Sequence, residues 1–240
     1  MYRIFIDNRV SDGVARALEV RHAVVIRLPS FWRFPAPVSS HADMLLFPLP
    51  DGKILTFREY FENNAGLFSG LEDRMVLTDE SPGDSYPRDV VLDALGIGDT
   101  LYGHSEATSA VLRSIYRRFV PVRQGYVRCS VAAPSDGAAV TSDRGLAAVL
   151  SENGVDVLEI TPGHIRLPGY DTGFIGGAGT RLPDGRFLFF GDLSFHPDGK
   201  AIAAFVNNHC PGVADVPGEQ LSDLGGALII NCGGTREGTY

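Results

Sequence analysis

Cysteine is scarce in this chain, and its scarcity excludes one class of fold. The 240 residues include only three cysteines, Cys129, Cys210 and Cys232. Disulfide-dependent secreted domains are much richer in cysteine, and no two of these three have the close spacing of a zinc knuckle. We therefore expect three free thiols, no structural metal and no cofactor.

The chain also lacks an excess of basic residues and any long apolar run. It has 21 Lys and Arg against 29 Asp and Glu, a net charge of -8. Nucleic-acid partners are usually bound by clustered Lys and Arg, and a membrane span needs roughly 18 consecutive apolar residues. The N-terminus has no basic start followed by an apolar run. We expect no nucleic-acid partner, no membrane contact and a cytoplasmic location, and the acidity is compatible with a cationic small ligand.

Glycine and proline are abundant by contrast, with 28 and 15 copies, and they mark turns. Four segments each join two apolar runs through a Gly-containing turn, which predicts β-hairpins. They are "MLLFPLPDGKILTF", "VVLDALGIGDTLYG", "CSVAAPSDGAAVTS" and "GAGTRLPDGRFLFFG". Their turn glycines are separated by 46, 39 and 48 residues, which indicates an internal repeat.

Three of these hairpins precede a helical pattern and then another apolar segment. The predicted helices are "SEATSAVLRSIYRRF", with Ser105 as N-cap, "SDRGLAAVLSENG" and "PDGKAIAAFVNNH". The segments that follow are "FVPVRQ", "VDVLEIT" and "GVADVP". The repeat is therefore a ββαβ unit: strand, turn, strand, helix, strand.

A fifth unit is divided between the two ends of the chain. "LGGALIINCGG" is typical of a first strand, and "YRIFIDNRVSDGVARALEVRHAVVIRLP" of a second strand, a helix and a third strand. Pairing of these ends would leave no unpaired seam. We predict an α/β fold, a five-bladed αβ propeller closed by its terminal segments and forming one domain over residues 1–240. The alternative is an α+β domain with unrelated hairpins.

In such a ring the starts of the first strands face one central pocket. These starts contain a small set of candidate residues, and counting back from the turn glycines places Asp43, Asp89, Cys129 and Gly177 at comparable depth. The candidates are His41, Asp43, Asp89, Cys129, the glycines of "GFIGGAG", and Asn231 with Cys232. A thiol, an imidazole and carboxylates can together perform covalent chemistry, in which the thiolate attacks and the imidazole moves protons.

The units and motifs resemble the pentein fold of the guanidino-group-modifying enzymes, and most closely an uncharacterised domain family described as having this fold. That superfamily includes arginine and agmatine deiminases, dimethylarginine hydrolases and amidinotransferases. "HAD" resembles their His-x-Asp motif, "YPRD" their aromatic-x-Arg-Asp segment, and "GYVRCSV" the lead into their nucleophilic cysteine.

The resemblance implies a hydrolase, deiminase or amidinotransferase acting on an arginine-like small molecule. It implies that Cys129 is the nucleophile, that His41 is the general acid/base, and that Asp43 and Asp89 bind the guanidinium, with Arg88 of "YPRD" beside them. Two features depart from the pattern. Another unit separates His41 from Cys129, and "FIGGAG" has no carboxylate where those enzymes have two.

Other hypotheses use the same residues differently. The chain would be a non-catalytic binding protein of this fold if Cys129 were an inert buried thiol. It would be a metal-dependent hydrolase if His41, Asp43, Asp192 and His196 shared a metal ion. Cys232 is the rival nucleophile, and Cys210 is expected in a loop.

Overall fold

The computed structural model describes residues 1–19 and 23–233, whose strands form five three-stranded sheets. The strands are β1 Tyr2–Asp7, β2 Ala23–Leu28, β3 Leu46–Pro48, β4 Ile54–Phe57, β5 Met75–Thr78, β6 Leu95–Ile97, β7 Thr100–His104, β8 Arg118–Val122, β9 Val131–Ser135, β10 Ala138–Thr141, β11 Asp156–Glu159, β12 Gly179–Arg181, β13 Phe187–Phe189, β14 Val213–Ala214 and β15 Ala227–Asn231. The α-helices are α1 Asp12–Leu18, α2 Ala42–Leu45, α3 Arg58–Asn63, α4 Ala110–Ile115, α5 Val127–Ser130, α6 Arg144–Glu152 and α7 Gly199–His209.

All five sheets have the same topology. The middle strand is antiparallel to the first strand and parallel to the third, in the orders β3-β4-β5, β6-β7-β8, β9-β10-β11, β12-β13-β14 and β15-β1-β2. Parallel neighbours need a crossover connection, and α1, α3, α4, α6 and α7 supply one to each sheet. The protein is thus a mixed α/β fold of small sheets, built from the predicted ββαβ unit.

The four predicted hairpins are present, and three of their turn glycines have a positive φ. Gly52 and Gly185 follow an aspartate and have φ of 81° and 88°. This left-handed conformation is costly for residues that carry a Cβ atom, so glycine places the turn at these two positions.

The two chain ends pair as predicted. β1 is antiparallel to β15, with Tyr2 opposite Asn231 and Ile6 opposite Ala227. β1 is also parallel to β2 on its other side, so a segment from the start of the chain is the middle strand of its sheet. Positions 20–22 and 234 of the segments used for this prediction lie outside the described residues.

The helix prediction was wrong in one detail and incomplete in another. α4 begins after Ser109, whose side chain accepts hydrogen bonds from the N–H groups of Val111 and Leu112. Ser105 is not the N-cap, because the His104 ring accepts the N–H groups of the residues that follow it and holds them in a turn. The sequence reading also missed α3, which is the crossover of the β3-β4-β5 sheet.

The crossover helices pack one face against the sheets. In α6 the buried residues are Leu146, Ala147 and Leu150, spaced to lie on one side of the helix. Burying a large aliphatic side chain contributes about 1.5–3 kcal/mol. Within the described residues, no helix combines the length and apolar character needed to cross a membrane.

Two one-turn helices position the candidate site. α2 leads directly into β3, and α5 leads directly into β9. We had placed Asp43 and Cys129 on the strands themselves, but each lies in the helical turn before its strand, and His41 is the residue that precedes α2. A tight turn at this point directs the side chains toward the other units instead of along the sheet.

Candidate active site

The structure brings together three of the predicted residues, Cys129, His41 and Asp43. One ligand-type atom of each lies within 4.8 Å of the others, although 86 residues separate Asp43 from Cys129. The Cys129 thiol donates a hydrogen bond of 2.9 Å to Asp43 Oδ2. All three side chains are buried, with at most 2% of any residue exposed. A nucleophile, a proton carrier and a carboxylate thus share one enclosed volume.

The His41 ring lies among carboxylates without a hydrogen-bond partner. Its Nδ1 atom is 3.9 Å from Asp43 Oδ1 and 3.8 Å from Asp223 Oδ1, and its Nε2 atom is 3.7 Å from Asp7 Oδ2. Burial lowers the pKa of His41, although the charges of Asp223 and Asp7 act in the opposite direction. We therefore describe His41 as a neutral imidazole, able to accept a proton from a neighbour.

Asp7 is held in place behind the imidazole. Arg9 binds both of its oxygens, at 2.8 and 2.7 Å, and the Ser40 hydroxyl donates a third hydrogen bond of 2.8 Å. Burial alone would raise the pKa of Asp7, but the hydrogen bonds from Arg9 and Ser40 outweigh it and hold the pKa below its usual value. Asp7 is consequently a fixed negative charge facing His41.

Sequence reasoning missed Asp93, which supports the nucleophile. Its Oδ1 atom accepts the backbone N–H groups of Arg128 and Cys129, at 2.7 and 3.2 Å. These N–H groups lie in the first turn of α5, where a helix has no internal acceptors for them. Sequence reasoning selects Asp89 from the same segment, because its distance from the turn glycine matches the other units. Counting residues cannot follow the irregular loop before β6.

Asp223 was also missed, for a reason that was readable in the sequence. It accepts the N–H groups of Phe174 and Gly225, at 2.9 and 3.0 Å, and it precedes β15 by four residues. We had selected Asn231 and Cys232 for this unit, but they lie at the far end of β15, where Asn231 pairs with Tyr2. The start of the predicted segment "LGGALIIN" would have led to Asp223.

The glycines of "FIGGAG" allow this carboxylate to enter the site. A Cβ atom on Gly177 would lie 1.9 Å from Asp223 Oδ1. A Cβ atom on Gly176 would lie 2.2 Å from the Arg128 carbonyl oxygen. The carboxylate that the motif lacks is thus supplied beside it by a different segment of the chain.

Asp89 and Arg88 lie outside the central group. Asp89 is buried, and its Oδ2 atom accepts a 2.5 Å hydrogen bond from the Tyr126 hydroxyl. The Arg88 side chain is exposed and packs beside Gly83. Asp89 therefore reaches the site through the ring of Tyr126.

A pocket of about 150 Å³ leads to the group. His41, Cys129 and Asp223 contribute to its lining, and the other lining residues are mostly apolar or aromatic: Val38, Tyr126, Leu167, Tyr170, Thr172 and Phe174. The Tyr126 and Phe174 rings lie 6.0 Å apart. Larger cavities occur elsewhere in the chain, but we regard this one as the candidate site because it reaches the thiol and imidazole.

The electrostatics of the pocket favour a cation. Burial, followed by the charges of nearby carboxylates, raises the pKa of the Cys129 thiol well above its usual value. Burial likewise raises the pKa of Asp43, against the charge of Arg128, and the pKa values of Asp93 and Asp223. A positive charge in the pocket would offset the cost of burying these carboxylates.

His41, Asp43 and Cys129 are also of the residue types that bind metal ions. The alternative set of sequence-predicted ligands is divided. Asp192 accepts the N–H groups of Ser194 and Gly218, and the His196 ring accepts the N–H of Asp198. Neither Asp192 nor His196 belongs to the group around Cys129 within the described residues.

The two remaining cysteines lie elsewhere. Cys232 donates a weak hydrogen bond to the Ile230 carbonyl, at 3.7 Å, and Cys210 donates one to the Gly212 carbonyl, at 3.1 Å. Both are half-buried and neither lines the pocket.

Comparison with solved structures defines the class of fold. A dimethylarginine dimethylaminohydrolase adduct with 4-chloro-2-hydroxymethylpyridine matches with a TM-score of 0.54 and 11% identity, over 90% of this chain and 93% of that one. The Pseudomonas aeruginosa enzyme, a mutant complexed with citrulline, matches with a TM-score of 0.53 and 11% identity, over 90% of this chain and 91% of that one. C. jejuni agmatine deiminase matches with a TM-score of 0.53 and 10% identity, over 88% of this chain and 74% of that one. The chain has the pentein fold of the guanidino-group-modifying enzymes, as the motifs suggested.

At this level of identity the similarity shows the fold and leaves the reaction open. No curated protein matches the sequence. The sequence matches a family of unknown function, DUF6873, over residues 5–228, and the chain belongs to that family.

Proposed function

We propose that this protein is a cysteine-dependent guanidino-group-modifying enzyme, of the hydrolase, deiminase or amidinotransferase type, acting on an arginine-like small cation. The observation that carries the proposal is the grouping of Cys129, His41 and Asp43 within 4.8 Å at the base of a pocket. The structural neighbours, which include an agmatine deiminase and a complex with citrulline, support the guanidine class.

The substrate itself would activate the nucleophile. In the free protein the thiol keeps its proton, because burial and carboxylates raise its pKa. A bound guanidinium adds a positive charge beside the sulfur, which favours the thiolate. Asp43 Oδ2, 2.9 Å from the sulfur, is placed to accept the thiol proton.

The bond changes can then be followed atom by atom. The sulfur attacks the guanidine carbon and forms an S–C bond, and a C–N bond breaks with its electron pair remaining on nitrogen. The proton lost by the thiol passes from Asp43 through His41 to that nitrogen, which leaves as ammonia or an amine. The enzyme holds a cationic thiouronium, which water or a second amine releases while His41 accepts the proton of the incoming nucleophile.

The remaining carboxylates would hold the guanidinium. Asp223 lines the pocket, Asp43 lies beside it near His41 Nδ1, and Asp89 would contribute through the Tyr126 ring. Arg88 would act only from outside the pocket, since its side chain is exposed. A buried carboxylate paired with a guanidinium forms a strong, charge-assisted contact.

We also propose that the five sheets stand as blades of a closed ring and that residues 1–240 form one domain. The β1–β15 pairing supports this arrangement, as does a second cavity lined by residues of the first strand from every sheet. We propose a cytoplasmic location, because the mechanism requires Cys129 as a free thiol.

Trapping of the covalent intermediate tests the proposal. Purified protein is mixed with guanidine, agmatine or arginine, quenched in acid and examined by intact and peptide mass spectrometry. We expect a guanidine-derived adduct on the Cys129 peptide, its loss in Cys129→Ser, and its retention in the matched control Cys232→Ala. An adduct on Cys232, or activity that survives in Cys129→Ser, would overturn the assignment.

The same experiment separates catalysis from binding. A ligand that binds only the native state raises the unfolding temperature. A guanidine that raises it without adduct or product would identify a non-catalytic binding protein of this fold. If none of the three compounds binds or reacts, the guanidine class itself is wrong.

A further inference from the structure

A second cavity, of about 300 Å³, lies apart from the candidate active site. It is lined by residues of β3, β6, β9, β12 and β15, and among the described residues it shares none with the pocket that reaches Cys129. That pocket is lined instead by residues that precede these strands, such as His41 before β3 and Asp223 before β15. We call the second space the strand-lined cavity, and the proposed function makes no use of it.

The wall of the strand-lined cavity has few charges, and their balance is positive. Much of it is glycine, alanine and larger apolar residues, including Gly96, Ala132, Gly179, Leu95, Val131, Phe187, Leu228 and Ile229. The charged lining residues are Arg128, Arg181 and Asp136, two arginines against one aspartate. Because the whole chain has a net charge of -8, this local excess of positive charge favours an anion at this place.

Arg128 has donor groups available for such an anion. The residue is half-buried, and its Nη1 atom donates a hydrogen bond of 3.1 Å to the Leu46 carbonyl. No carboxylate in the described part of the chain lies within 4.0 Å of this guanidinium, and its Nε and Nη2 groups make no other hydrogen bond there. A guanidinium that is partly removed from water is stabilised by an anion, and its planar fork matches a carboxylate or a phosphate.

Arg181 is held against the cavity by two bonds. Its Nε atom donates to the Ala133 carbonyl at 2.7 Å, and its Nη1 atom donates to Asp136 Oδ1 at 2.8 Å. The Asp136 side chain is 71% exposed, so this ion pair is largely screened by water and contributes little. The guanidinium is therefore positioned at the wall while its charge remains available to a ligand.

We propose that the strand-lined cavity binds a small oxyanion, a carboxylate or a phosphate, through Arg128 and Arg181. The apolar and glycine-rich wall would contact the rest of the ligand, as in other small-molecule sites. This binding site exists whether or not the protein modifies guanidines, so it goes beyond the function proposed above.

Arg128 also connects the strand-lined cavity with the active site. It directly precedes Cys129 in the chain. Burial raises the pKa of Asp43, and the positive charge of Arg128 opposes this effect, so that charge is felt at the active site. It would also repel a guanidinium in the pocket, and an anion paired with Arg128 would reduce the repulsion. We therefore expect the anion and a guanidinium to bind with positive cooperativity, an expectation that rests on the proposed function.

Calorimetric titration of the wild-type protein with inorganic phosphate and with acetate, at constant ionic strength, tests the anion site. We expect saturable binding of one anion per chain, and the tighter of the two indicates whether the ligand is a phosphate compound or a carboxylic acid. In Arg181→Gln the affinity should fall about 10- to 100-fold, because a charge-assisted hydrogen bond is lost.

Arg186→Gln is the matched control, because Arg186 is a similarly exposed arginine that pairs with Asp184 and does not line the cavity. Arg128→Lys keeps the charge without the planar fork and should also weaken binding. Absence of saturable binding to the wild type, or equal affinities in Arg181→Gln and Arg186→Gln, overturns the proposal. The wild-type titration needs no variant, so misfolding of a variant leaves the site testable.

A guanidine titration with and without saturating phosphate tests the cooperativity. The affinity for guanidine should rise about fivefold when phosphate is bound. An unchanged affinity overturns the connection through Arg128. If guanidine does not bind under either condition, the proposed function fails, and the phosphate titration still decides the anion site.

Discussion

At the scale of single residues, the candidate site depends on how closely its parts approach one another. Gly177 and Gly225 lie against Asp223 and His41 at distances that exclude a Cβ atom. From the sequence, Gly177 is expected at the depth of the pocket and Gly225 is not singled out. Their physical role is to leave room for a carboxylate that arrives from another segment.

Gly177→Ala should therefore damage the site more than an ordinary glycine substitution. Its Cβ atom would lie 1.9 Å from Asp223 Oδ1, a carboxylate anchored by two N–H groups, and overpacking of this kind costs about 1–3 kcal/mol. Urea unfolding measures the loss. Gly137→Ala is the matched control, because no atom lies within 4 Å of its added Cβ.

A second change distinguishes the cause. If the clash with Asp223 is responsible, Asp223→Ala should lower the free energy of unfolding less in the Gly177→Ala variant than in the wild type. The difference between the two losses, which is the coupling energy, should be about 0.5–3 kcal/mol. Strictly additive effects would show that Gly177 acts through something else.

Asp89 and Tyr126 should behave as one functional group. The 2.5 Å hydrogen bond fixes the ring that lines the pocket, so Tyr126→Phe and Asp89→Asn should each weaken ligand binding by a similar factor. The double variant should be no weaker than the worse single variant. Calorimetric titration with the ligand that shifts the unfolding temperature most provides the measurement, and independent effects would place Asp89 on the ligand itself.

At the scale of elements, short turns decide where helices begin. α4 begins at Ser109, where the side chain caps the helix and also bonds Glu80. Ser105 is also a serine, and its position in the sequence is equally suitable for an N-cap. The ring of His104, the last residue of β7, distinguishes them, because it accepts the N–H groups of Glu106 and Ala107 and holds the residues after Ser105 in a turn.

Ser109→Ala should destabilise the protein by about 0.5–2 kcal/mol, the usual cost of losing an N-cap. Ser105→Ala should change the free energy of unfolding by less than about 0.5 kcal/mol, because the side chain is exposed. Thermal unfolding of the two variants compares them directly. Equal losses would contradict the observed start of α4.

The features that the sequence predicts are those signalled by neighbouring residues, and most of the features that it misses depend on contacts between distant segments. Gly-containing turns that join two apolar runs are local signals, and they predicted all four hairpins and the ββαβ unit. Cys129, His41 and Asp43 were found because motifs mark them. Asp93 was missed because it accepts backbone N–H groups 35 and 36 residues away, a relation that no local pattern contains. Asp223 was missed although it directly precedes the segment predicted as the first strand of its unit.

At the scale of the whole molecule, β1 ties together the two ends of the chain. Ile4, Phe5 and Ile6 are completely buried, and β1 separates β15 from β2. Loss of three such side chains removes about 5–9 kcal/mol, which is comparable to the total stability of a domain.

If residues 1–240 form one domain, as proposed, deletion of residues 1–8 should unfold all of it. Hydrogen exchange should show protection lost in all five sheets, because an opened edge exposes the core shared between units. Loss confined to β2 and β15 would show that the sheets are stable independently, and would count against the closed ring.

The position of β1 also sets a schedule for biosynthesis. A ribosome adding about 5 to 20 residues per second completes β15 roughly ten to forty-five seconds after β1. Throughout that interval the strand has one permanent neighbour missing, and its apolar residues are available to other nascent chains. The protein thus cannot finish its first sheet before its last strand emerges, and its yield in cells should depend on chaperones that cover the N-terminal segment during that wait.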